Sequence, residues 1–229
     1  MAAAPLNYAQ RALNQTKSAW VNIKVDYMRL GDALYWDKTI QRDILLEGLR
    51  EKKAGRPIPR ADFYWSWVGM RMLFPLAQLL KKRRCRALTV FVQDAQGRGV
   101  PAGMMLLIEQ YPWLFPNDPV AESTFTWFIA SAPKTSLQSR GVPDPPSLGR
   151  IMVDAALVTS RALGLQGQMW LHAAPGGGPG HLRLYGKICQ MPCLPQGSAL
   201  PGRQVSDGRH YYATATLANQ LVNALQQCR

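Results

Sequence analysis

Acidic residues are scarce in this chain: 14 Asp+Glu stand against 27 Lys+Arg, a formal net charge of +13 over 229 residues. Charged residues of both signs make up only 18% of the chain while hydrophobic ones reach 47%, which excludes intrinsic disorder as the main state, since disorder combines low hydrophobicity with high charge. Cysteine is equally sparse. Cys85, Cys189, Cys193 and Cys228 are too few and too scattered for a disulfide framework, and a reducing, cytoplasmic setting is expected. Cys189 and Cys193 stand as C-x-x-x-C with no second Cys or His pair at ligand spacing, so no metal site is expected. Met1 to Asn14 lacks the apolar core of a secretory signal and is interrupted by Arg11. The one long apolar stretch, Phe63 to Leu80, carries Arg71 near its centre and Pro75 beyond, so it reads as a mostly buried helix and not as a membrane span.

What is present has the length and apolar content of one large domain or two small ones. The basic excess is uneven: residues 1–100 hold 18 Lys+Arg and 8 Asp+Glu, a balance of +10 against +3 for the remainder. Any anionic partner therefore meets the N-terminal half first. Alternation of Ile23, Val25 and Tyr27 predicts a strand near 19–29, and near-helical spacing of Leu34, Ile40, Ile44, Leu45 and Leu49 predicts one helix over 32–53. Asp62 is expected to cap a second helix that ends in the basic run Lys81 to Arg84. Strands are expected at 87–93 and 102–109 around the turn DAQGRG, and another at 123–130. A Pro-rich loop over 133–147 then leads into a helix from Ser147 to Leu163. Beyond it lie a strand at 169–174, a glycine cluster, the short helical stretch HLRLYGK, a strand at 210–214 and an amphipathic helix capped by Thr216.

This order, and above all the stretch Phe125 to Cys189, resembles the GNAT superfamily of acetyl-CoA-dependent N-acetyltransferases. The resemblance rests on D-P-P-S-L-G (Asp144 to Gly149) followed by Arg150, where the family has a pyrophosphate-binding loop opening a helix, and on Leu184-Tyr185, where it has a Leu-Tyr pair. Asp144 and Ser147 replace the family's Gln/Arg and first Gly, and Gly178 replaces an Asn. The resemblance implies an α+β fold with a mixed, mostly antiparallel sheet flanked by helices. It implies a single domain over 1–229, with 1–115 on the acceptor side and 116–229 binding acetyl-CoA.

It further implies that Ser147, Leu148, Gly149 and Arg150 meet the pyrophosphate, that His181 stands beside them, and that Phe128, Ile129 and Ala130 offer backbone to the pantetheine. Tyr185 is then the group that protonates the departing CoA thiolate. Glu122, Glu109 and His172 are the candidate bases for the acceptor amine, each equally readable as a structural residue. Trp36, Tyr64, Trp65, Trp67 and Trp113 beside Arg56, Arg60, Arg71 and the Lys81 to Arg86 cluster suit either a core or an RNA-linked acceptor such as aminoacyl-tRNA. Expected partners are acetyl-CoA and an amine of a protein, a small molecule or charged tRNA, with a homodimer built through the C-terminal strand and helix as an option. Two other readings stay open: a catalytically degenerate acyl-CoA-binding domain, and a basic nucleic-acid-binding module.

Overall fold

A computed structural model describes residues 7–14, 16–58, 60–73, 83–115, 121–202 and 204–228. Its centre is a seven-stranded sheet in the order β1-β2-β3-β4-β5-β6-β9. The strands are β1 (Arg11–Leu13), β2 (Trp20–Tyr27), β3 (Cys85–Gln93), β4 (Gly99–Pro112), β5 (Glu122–Ser131), β6 (Met169–His172) and β9 (His210–Ala213). Every neighbouring pair runs antiparallel except β5 and β6, which are parallel. The sheet is therefore mixed and mostly antiparallel, as the resemblance implies. A small hairpin, β7 (Ala199–Leu200) with β8 (Gln204–Val205), lies apart from it.

The helices are α1 (Leu30–Lys38), α2 (Ile40–Lys53), α3 (Lys134–Gln138), α4 (Leu148–Ala162), α5 (Gly178–Leu182) and α6 (Ala215–Ala224), and residues 67–73 are also helical. The expected single helix over 32–53 is two, broken at Thr39. That β-branched residue turns its hydroxyl back onto the Tyr35 carbonyl, a local bond that competes with the helix ladder and bends it. Asp62 does not cap the next helix, because its carboxylate is held by Arg60 at 2.6–2.8 Å. Asp37 caps it instead, accepting from the backbone N–H of Trp67 at 2.9 Å and of Val68 at 3.1 Å. The remainder of the expected apolar helix, residues 74–80, and Lys81 and Lys82 of the basic run after it lie outside the described residues. Thr214, not Thr216, caps α6 through Leu217, and α3 occupies the start of the stretch read as a plain Pro-rich loop. Among the described residues no helix is long and apolar enough to cross a membrane.

Two apolar layers sandwich the sheet. Seven apolar residues of α4, among them Ile151, Met152 and Leu157, are buried in the larger one, each large aliphatic side chain contributing about 1.5–3 kcal/mol. Trp36 and Trp67, fully buried, meet edge to face at 6.4 Å in the same layer, so these two aromatics are core and not an interface. Trp113, Leu114, Trp170, Leu194 and Leu200 form a smaller cluster. Register places it on the other face, because Phe125, Trp170 and Tyr212 are mutual partners across three strands and so share one side of the sheet.

Candidate active-site cleft

The site begins with a defect in a strand. β5 faces β4 with Leu106 opposite Phe128 but Leu107 opposite Thr126, so Trp127 is the extra residue of a bulge. A bulge bends its strand and sharpens the twist. On the other side of β5 the parallel pairing with β6 ends at Thr126 and Leu171, level with that bulge. Phe128 to Ser131 then keep only β4 as a sheet neighbour among the described residues. Their second edge opens onto a cleft of about 440 Å³.

This cleft passes through the sheet. From the α4 side it is lined by Gly149, Met152, Leu184 and Tyr185, and from the opposite side by Phe125, Trp170, His172 and His210. The N-terminus of α4 adjoins the cleft through Gly149. The helix carries no acidic residue in its first turn, and Ser147 stands at the N-cap without making a side-chain cap bond, so its first N–H groups are not taken by that side chain. Arg150 lies in this first turn, and its Nε is buried with no hydrogen-bond partner among the described residues. Asp144 is engaged by Thr16, whose backbone N–H and hydroxyl donate to it at 3.2 and 2.6 Å.

Gly149 is required by a close approach. A Cβ built there would lie 2.4 Å from Leu184 Cδ2. Leu184 sits on Arg183–Ile188, a stretch of π-helix that continues α5 and is closed by the bond from Cys189 N–H to the Leu184 carbonyl at 2.9 Å. The wider turn presses Leu184 onto Gly149 and leaves Tyr185 lining the cleft, its ring 5.6 Å from Tyr211 and 6.4 Å from His181. Burial, with a smaller contribution from the Cys189 thiol, drives the Tyr185 phenol above its ordinary range, so it holds its proton at all physiological pH. Burial also lowers His181, with Arg60 and Arg209 acting in the same sense against Asp62, so this ring is neutral.

The expected site residues divide by position. Tyr185, His172, His181, Gly149, Phe128, Ile129 and Ala130 all line the cleft. Ser147, Leu148 and Arg150 flank it at the start of α4, Leu148 being buried beneath. Glu109 and Glu122 are not among the lining residues. Glu109 is buried and ion-paired with Arg86 at 2.6 Å, and Glu122 opens β5 opposite Pro112, at the paired end of the strand. Of the expected acceptor-side aromatics and cations, Trp65 and Arg60 line the cleft, Arg60 also donating to the Ser131 carbonyl at 2.7 Å, while Tyr64 is exposed and Trp113 buried. Sequence reasoning missed Asp207, His210 and the Trp127 bulge. The D-x-x-H spacing of Asp207 and His210 was visible, but only strand register brings it beside His172.

Neither the known protein-family models nor the curated proteins contain a significant match to this chain. Among solved structures, a mutant of the spermidine N-acetyltransferase SpeG from Vibrio cholerae is similar at 19% identity and TM-score 0.46, covering 86% of this chain and 96% of that one. A mutant AtaT toxin bound to the C-terminus of the antitoxin AtaR and acetyl-CoA is similar at 12% identity and TM-score 0.46, covering 87% and 97%.

Proposed function

We propose that this chain is an N-acetyltransferase of the GNAT type, moving an acetyl group from acetyl-CoA to a primary amine. The observation that supports this most is the split between β5 and β6, which opens a passage through the sheet with a helix N-terminus and Tyr185 on one side. Direct transfer needs such a passage, since donor and amine must reach one carbonyl carbon from different directions. In this reading the first-turn N–H groups of α4 and the Arg150 guanidinium hold the pyrophosphate, and the backbone of Phe128, Ile129 and Ala130 pairs with the pantetheine amides. Backbone N–H groups at the bulge stabilise the charge that develops on the carbonyl oxygen. Tyr185, kept protonated by burial, donates its proton to the departing thiolate.

The halves 1–115 and 116–229 serve the acceptor and the acetyl-CoA respectively. The acceptor is an amine of a protein, a small molecule or aminoacyl-tRNA. A surface of net charge +13 repels polycations and attracts anionic carriers, and Asp62, a carboxylate in the cleft lining, is already committed to Arg60.

Calorimetric titration with acetyl-CoA tests the reading. One-site binding that persists at high salt and falls further in Gly149→Asp than in Gly149→Ala is expected, because both add a Cβ against Leu184 while only Asp sets a carboxylate against the pyrophosphate. Absence of saturable binding by the native chain refutes it.

A further inference from the structure

Across the sheet from α4, three side chains far apart in sequence form one unit. His172 ends β6 and is paired in register with His210, which begins β9. Their rings stack with centroids 4.5 Å apart and planes 26° apart. Asp207, in the turn before β9, lies 2.8 Å from His172 Nε2 and 3.4 Å from His210 Nδ1. The backbone N–H of Arg209 donates to Asp207 at 3.0 Å, while the Arg209 guanidinium donates to the Ala173 and Ala174 carbonyls. Ser206 Oγ stands 3.2 Å from His210 Nδ1, and Cys193, which donates to the Gly208 carbonyl, is a further titratable group beside Asp207.

An ionised carboxylate only accepts, so the His172 nitrogen that faces Asp207 carries the hydrogen. Nδ1 is then the lone-pair nitrogen, and the hydrogen bond of the His172 ring among the described residues is the one from Nε2. Both histidines line the cleft. Convergence on a metal ion does not fit this arrangement. An ion lies in the plane of each imidazole that binds it, and two stacked, nearly parallel rings hold their lone pairs in separate planes.

We propose that His172 Nδ1 takes the proton from the attacking amine, with Asp207 as the positioning residue that fixes its tautomer and His210 as the neutral wall against which its ring is held. This rests on the acyl-transfer reading above. The amine nitrogen forms a bond to the thioester carbonyl carbon and gives one proton to His172. The carbon–sulfur bond then breaks, sulfur leaves with the electron pair, and Tyr185 supplies its proton. His172 releases its proton to solvent and Tyr185 regains one from it, so the net products are one amide and one thiol. His210 stays neutral because burial, and then the charge on His172, outweigh the pull of Asp207. A second imidazolium therefore does not oppose the one that forms. Asp207 remains ionised, since the bond from His172 and the Arg209 N–H outweigh the cost of its burial.

The chain has only three histidines, so nitrogen-15 labelling of the imidazoles resolves every ring. His172 is expected to carry its hydrogen on Nε2 in the native chain and to lose that preference in Asp207→Ala, while His181 is unmoved. A His172 tautomer unchanged in Asp207→Ala overturns the proposal, whatever the acceptor. Kinetically, CoA release is followed against pH with an arylalkylamine, a polyamine, a lysine peptide and an aminoacyl ester. His172→Gln should lower kcat about 100-fold or more with KM for acetyl-CoA unchanged, and added imidazole should restore part of the rate. Asp207→Asn, close to isosteric and expected to fold, should lower kcat with KM for acetyl-CoA unchanged. Loss of rate in Tyr185→Phe but not in His172→Gln overturns this assignment and leaves acyl transfer standing, whereas failure of the native chain to bind acetyl-CoA overturns both.

Discussion

Replacing Gly149 with Ala probes the contact on which the cleft depends. The added Cβ would lie 2.4, 3.1 and 3.3 Å from Leu184 Cδ2, Cδ1 and Cγ. Ordinary carbon contacts are about 3.5–4.0 Å, so Leu184 must retreat by roughly 1 Å. Overpacking of this kind costs about 1–3 kcal/mol. Ala exceeds Gly in helix propensity by about 1 kcal/mol, which offsets part of the loss. A net destabilisation of about 0–2 kcal/mol follows, or a Tm lower by no more than roughly 8 °C for a chain of this size. Function should suffer more than stability, because Leu184 adjoins Tyr185 in the same π-helical turn and any retreat carries the phenol with it. Thermal melting and acetyl-CoA titration of Gly149→Ala, Leu184→Ala and the double variant measure this. Leu184→Ala removes the atoms that clash, so the pair should be non-additive by about 0.5 kcal/mol or more in the rescuing direction. Strict additivity, or a Gly149→Ala protein with native melting and native affinity, refutes the close approach.

Three further outcomes follow from the same physics. Arg86→Met leaves the Glu109 carboxylate buried without its partner and should cost about 3–5 kcal/mol in chemical denaturation, with Glu109→Gln in the same chain recovering much of it. Burial lifts the Cys189 thiol from 9.0 to about 11, so the folded chain binds a proton that the unfolded chain releases. Stability from this source is present below pH 9 and is lost as pH rises towards 11, on the order of 2 kcal/mol, and Cys189→Ala should flatten that alkaline decline in denaturant melts. Asp37→Ala uncaps the helix at 67–73 and should cost about 1–2 kcal/mol in thermal or denaturant melts, although Asp37 lies on a different helix.

The elements that sequence made legible are those whose signal is local. The β3–β4 hairpin follows from two apolar runs around DAQGRG, and α4 from periodic apolar residues that stop at Gly164. Tyr185 and Gly149 were reachable because their neighbours resemble a family pattern, and both line the cleft. What stayed hidden depends on partners distant in the chain. Thr39 breaks a helix whose apolar spacing runs straight through it, since a single hydroxyl bond leaves no mark on periodicity. Asp37 caps a helix some thirty positions onward. The bulge at Trp127 is a property of how β5 counts against β4, and the His172–Asp207–His210 unit of how β6 registers with β9. Glu109, a candidate base by sequence, is turned by strand alternation away from the side of Ile108, which lines the cleft, and towards Arg86.

Transfer of a labelled acetyl group tests the central claim most directly. Native protein and Tyr185→Phe are each incubated with acetyl-CoA labelled in the acetyl group and the four amines above, and label in the amide product is counted. The account predicts label on at least one amine with the native chain and about 100-fold less or lower with Tyr185→Phe, acetyl-CoA binding being retained. Equal transfer by the two proteins contradicts the role of Tyr185, and native protein that binds acetyl-CoA yet labels none of the amines contradicts the catalytic account of the cleft.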